Sequence, residues 1–194
     1  MTKKLLSIGT LLGSMMSLSL AQAEDKAPAP AEAAGPPKPA AELVDYMKDV
    51  LGNWTCATTL APGAMGPGSP EVKATSKVKI SKDAALGGFF YRGEYSMAKS
   101  KTVPMAFSGI FYLGYDTGSK QLVNVSVDST GAASMGTGPI SGASASWSGD
   151  GYMMGTKVKS RETMTKDSPK QVTHKLEIDM GKGFQPMGED VCKK

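Results

Sequence analysis

The sequence predicts an all-β domain: an antiparallel up-and-down β-barrel of about ten strands, with one short N-terminal helix. Three observations carry this. After residue 51, apolar and polar residues alternate in run after run, as they do where one face of a strand is buried and the other is wet. Turn-forming residues separate those runs at near-regular spacing, and no second helical pattern interrupts them. The two cysteines, Cys56 and Cys192, fall in the first and last candidate strands, so a bond between them makes those strands neighbours and leaves the sheet no edge. A sandwich could also bring the ends together, but the meander spacing favours the barrel.

The elements follow in chain order. Lys3 and Lys4, the uncharged run LLSIGTLLGSMMSLSL and the small residues AQA form the three regions of a secretory signal peptide over residues 1–23. The run falls short of the roughly 20 predominantly apolar residues of a membrane span, so no membrane insertion is expected after cleavage. The expected location is the periplasm or the medium. Residues 24–41, EDKAPAPAEAAGPPKPAA, have almost nothing to bury and read as a Pro/Ala-rich disordered linker. Residues 42–194 are long enough for one barrel domain with one core. Without residues 1–23 the chain keeps 20 basic against 18 acidic residues, a balance of +2. That gives no electrostatic case for nucleic acid or an anionic membrane.

In ELVDYMKDVL, residues 42–51, Leu43, Tyr46, Met47 and Val50 recur at helical spacing. The period then becomes two. Val72, Ala74, Ser76, Val78 and Ile80 alternate with Lys73, Thr75, Lys77 and Lys79. Phe89, Tyr91 and Tyr95 share a face opposite Arg92 and Glu94, and Val172, His174, Leu176, Ile178 and Met180 share a face opposite Thr173, Lys175, Glu177 and Asp179. Asp116, Thr117 and Gly118 suit a three-residue bulged hairpin loop with Gly118 left-handed. That loop sets Phe111 opposite Val123 and Phe107 opposite Val127. Further turns are expected at Asp128–Gly131, Ser148–Gly151 and Gly181–Gly183.

The chemistry is sparse. An even pair of cysteines in an exported chain reads as a disulfide, and two thiols with a single histidine are short of a zinc site. There is no H-E-x-x-H, P-loop or G-x-S-x-G motif, and no catalytic residues, metal site or cofactor are expected. The Gly-rich STGAASMGTGPISGASASWSG has no helix after it to complete a phosphate cradle, and small residues on crowded strands explain it better. Lys157, Lys159 and Arg161, like Lys73, Lys77 and Lys79, read as solvent faces of strands.

Leu51-Gly52-Asn53-Trp54 ahead of the first strand resembles the Gly-x-Trp opening of the calycin barrels, the lipocalins and fatty-acid-binding proteins. Taken with Leu86-Gly87-Gly88-Phe89, Leu113-Gly114-Tyr115-Asp116, Lys120 and the Asp128…Gly131 turn, the chain resembles the bacterial family filed as domain of unknown function 1579, over roughly residues 42–194. The resemblance implies a barrel able to hold a small apolar ligand, and it supplies no substrate. The family is similar to the nitrobindin-like heme barrels, whose iron-binding histidine lies in the last strand. Here the last strand, near Phe184–Cys192, has no histidine, and His174 lies one hairpin earlier.

The functional expectation is an exported, non-enzymatic barrel that binds a small hydrophobic ligand without covalent chemistry. Its lining would come from Trp54, Phe89, Tyr91, Tyr95, Phe107, Phe111 and His174, aromatic walls with a few polar tips. The alternative is a structural or protein-interaction module of the cell envelope, with a filled barrel and an exposed apolar patch. Heme binding through His174 is a third, weaker reading.

Overall fold

The computed structural model describes residues 37–194 apart from Met154, so the expected signal peptide and most of the expected linker lie outside the described residues. One helix, α1 (Ala41–Met47), precedes eleven strands. They are β1 (Gly52–Leu60), β2 (Val72–Lys82), β3 (Tyr91–Met97), β4 (Phe107–Asp116), β5 (Gln121–Asp128), β6 (Ala133–Gly138), β7 (Ile140–Ser141), β8 (Ser144–Met153), β9 (Thr156–Ser168), β10 (Gln171–Asp179) and β11 (Gln185–Lys193). Ten of them form a closed antiparallel meander in which β6 pairs with β8 and β1 pairs with β11, while the two-residue β7 pairs only with β8. The ring closes where the cysteines require it. Cys56 and Cys192 are directly opposed in the β1–β11 ladder and bonded to each other.

The helix is shorter than residues 42–51, its last residues forming a turn, but the side chains that predict it are buried: Leu43, Tyr46, Met47 and Val50. Seven residues do not sustain a helix alone. Packing holds it: these residues share one core with Trp54, Leu113, Leu122, Trp147 and Met164, and the Tyr46 hydroxyl donates to the Met164 carbonyl at 2.8 Å. A second, smaller core of Val72, Met97 and Val103 gathers Leu60, Tyr95 and Phe107. In β2 the predicted alternation holds, with Val72, Ser76 and Ile80 buried and the lysines exposed.

Two expectations are corrected. The β4–β5 hairpin has a four-residue loop, because Asp116 pairs with Gln121. Asp116 accepts from the N–H groups of Gly118 and Ser119 and from the Ser119 hydroxyl, and Lys120, not Gly118, takes the positive φ of 56°. Phe111 therefore opposes Ser126 instead of Val123, and Phe107 pairs with Met97 of β3 instead of Val127. An odd shift exchanges the faces of a strand. Asn124 and Ser126 turn inward, and Val127 is 51% exposed.

Ser148–Gly151 is not a turn but the middle of β8. Its glycines serve close approach, not a bend. A Cβ on Gly149 would fall 1.9 Å from the Met135 carbonyl oxygen, and one on Gly138 would fall 2.1 Å from that of Ser146. The small residues let β6 and β8 lie together and complete the ring. Gly149→Ala should accordingly cost about 1–3 kcal/mol or more, since the obstacle is backbone and cannot rotate away. Urea unfolding checks this, and a cost within the noise of a surface substitution would refute the close approach.

Candidate functional site

An interior cavity of about 300 Å³ runs through the barrel. Inward residues of β1 line its length, Trp54, Thr58 and Leu60, because alternate side chains of a strand share a face. Of the residues expected to line it, Trp54, Tyr95, Phe107, Phe111 and His174 do so. Tyr95 and Phe107 meet edge to face, with ring centroids 5.4 Å apart. Phe89 and Tyr91 stand elsewhere. Phe89 precedes β3 in its turn, outside the ladder, and Tyr91, opposite Leu113, is buried in the core that holds α1.

The polar wall is where the structure adds most. His174 lies opposite Asp190 in the β10–β11 ladder and beside β9, which carries Glu162. Its Nε2 is 3.0 Å from Glu162 Oε2 and its Nδ1 is 3.4 Å from Asp190 Oδ2. Thr58 donates to the other Asp190 oxygen at 2.5 Å, and Ser76 completes the chain 2.7 Å from Thr58. Burial on its own would lower the His174 pKa, and it is the largest single influence. The two carboxylates together outweigh it and raise the pKa to about 10. Two carboxylates about one imidazolium leave one negative charge in excess. Burial pushes the nearby Tyr95 hydroxyl up to about 12, with the Asp190 charge adding and the Ser76 and Thr58 hydroxyls opposing.

These groups do not suit heme. An axial histidine needs one ring nitrogen turned to the iron, and both nitrogens of His174 hold carboxylates. Among the described residues, no group of three or more His, Cys, Asp or Glu side chains is arranged to hold a metal ion. No helix among them is long and apolar enough to cross a membrane. What the site can do is enclose an apolar body and orient one polar end.

Thr58, Asn124, Trp147, Glu162 and Asp190 were not anticipated as lining. Parity could have found two of them. Thr58 shares the face of Cys56, and Asp190 that of Cys192, and the disulfide turns that face inward.

Residues 42–188 match the family described as "Protein of unknown function (DUF1579)". No curated protein matches the chain. Among solved structures it is similar to that titled "Crystal Structure of Rv2717c from M. tuberculosis", at 13% sequence identity and a TM-score of 0.60, covering 81% of this chain and 99% of that one. At that identity the likeness concerns the fold alone.

Proposed function

We propose that this chain, which belongs to the DUF1579 family, is an exported barrel that binds one small, largely apolar molecule in its interior and performs no chemistry on it. The observation that carries the reading is the cavity itself. It is lined largely by aromatic and aliphatic side chains and has a hydrogen-bonded polar cluster in one wall. A filled interior would have favoured the envelope module instead. An imidazolium with a pKa of about 10 is a poor base at neutral pH, which fits binding better than catalysis. The disulfide and the N-terminal signal pattern support an oxidising, exported setting.

N-phenyl-1-naphthylamine, whose fluorescence rises in apolar surroundings, should bind the purified protein at one site. Leu176→Trp, which places an indole in the cavity wall, should abolish that signal while the protein stays folded by circular dichroism. An unchanged signal in the variant would place the probe outside the barrel and remove the reading. A native mass spectrum of protein from its own host should carry a reproducible added mass. Bare protein or partner complexes alone would favour the interaction module.

A further inference from the structure

Two deeply buried polar atoms in the cavity wall have no hydrogen-bond partner among the described residues: Asn124 Oδ1 and Trp147 Nε1. Asn124 is 3% exposed and Trp147 is 5% exposed. Native interiors pair nearly all such groups, because an unmet donor or acceptor keeps its full desolvation cost. The other indole of the cavity shows the ordinary arrangement, with Trp54 Nε1 donating to the Val50 carbonyl at 2.8 Å.

The two orphans come from the strands on either side of β6, Asn124 from β5 and Trp147 from β8. Asn124 of β5 is opposite Gly136 of β6, and a Cβ on Gly136 would lie 3.1 Å from Trp147 Cδ1, the carbon bonded to Nε1. The glycine opposite Asn124 thus makes room for the indole edge. The Trp147 ring also stacks against His174, with centroids 6.1 Å apart and planes 21° apart, which sets the indole next to the charged cluster. The wall therefore offers one free donor and one free acceptor beside an excess of negative charge.

We propose that the ligand is a neutral, largely apolar molecule bearing a hydroxyl or carboxamide group, which accepts from Trp147 Nε1–H and donates to Asn124 Oδ1. This rests on the cavity-binding reading above and names its ligand class. A carboxylate would meet Glu162 and Asp190 with only His174 to offset them. An ammonium has donors only and leaves the indole N–H unmet. A plain hydrocarbon leaves both atoms unmet, and a site built for a hydrogen bond discriminates against a molecule that lacks the group.

Calorimetric titration at neutral pH with octanol, octanamide, octanoate and octylamine tests this. Octanol and octanamide should bind about tenfold or more tighter than octanoate and octylamine. Asn124→Leu and Trp147→Phe, each folded by circular dichroism, should each weaken octanamide about tenfold. Octanoate or octylamine binding as well as octanamide would overturn the proposal. So would undiminished octanamide affinity in both variants, which would mean that water satisfies the two atoms. If one variant fails to fold, the other variant and the four-way comparison on the unaltered protein decide. Loss of the naphthylamine signal from the unaltered protein would remove the cavity reading itself. Retained signal with no preference among the four end groups would remove only this inference.

Discussion

Replacing Cys56 and Cys192 together by alanine should lower the unfolding free energy by about 5 kcal/mol, the chain-entropy value for a loop closed across 136 residues. The bond joins the two strands that close the ring, and it ties together residues near opposite ends of the barrel sequence. Without it, β1 and β11 still pair from Thr55↔Lys193 to Leu60↔Gly188, so the native contacts of the seam remain. What changes is the unfolded chain, which regains the freedom that the crosslink withheld. Both cysteines are buried, Cys56 completely, so a second loss comes from the packing of the missing sulfurs. Alanine is the appropriate replacement, since serine would add a buried hydroxyl. Urea unfolding should show a midpoint far below that of the oxidised protein, and reductant should move the oxidised protein toward the variant. A variant within about 1 kcal/mol of the unaltered protein would mean that the seam closes without help from its staple.

The same cysteines explain how much of the molecule the sequence made legible. Their positions imply the closure, and alternation in segments such as Val72–Ile80 supplies the inward faces, so the barrel follows from two local rules. The hairpin register did not follow. Gly118 draws the left-handed position in any reading from propensity, but the Asp116 side chain organises the loop and Lys120 adopts that backbone. No local rule announces a lysine with positive φ. Gly149 misleads in the opposite way, since a glycine that makes space for another strand looks like one that bends the chain. The site divides along similar lines. Aromatic residues on alternating strands were readable as walls, whereas Glu162 and Asp190 drew no reading, because a carboxylate inside a barrel is what the polarity rule leaves out and interior function breaks.

The histidine between them makes the pH dependence of stability the second large effect. Unfolded, His174 titrates near 6.5, and folded it titrates at about 10. Below the first value both states hold the proton, and its full contribution to stability is present. Between the two values the unfolded chain has released the proton and the native chain has not, so stability falls as pH rises. The limiting slope is about 1.4 kcal/mol per pH unit, and the contribution is gone above the folded value. The total should fall below the roughly 3–5 kcal/mol lost when a fully buried ion pair is broken, since these groups are only part-buried. The window is clean: His174 is the only histidine, both cysteines are bonded, and burial holds the Tyr46 and Tyr95 hydroxyls above their ordinary value. His174→Gln has no proton to lose. It should start less stable at pH 6, with Glu162 and Asp190 facing each other without a cation, and should stay nearly level to pH 9 while the unaltered protein descends toward it. Because the folded imidazole keeps its proton until near pH 10, naphthylamine affinity in the unaltered protein should stay level from pH 6 to pH 9 while its stability falls. An unfolding free energy flat to about 0.5 kcal/mol across that range would mean that the imidazole is not held charged between the carboxylates.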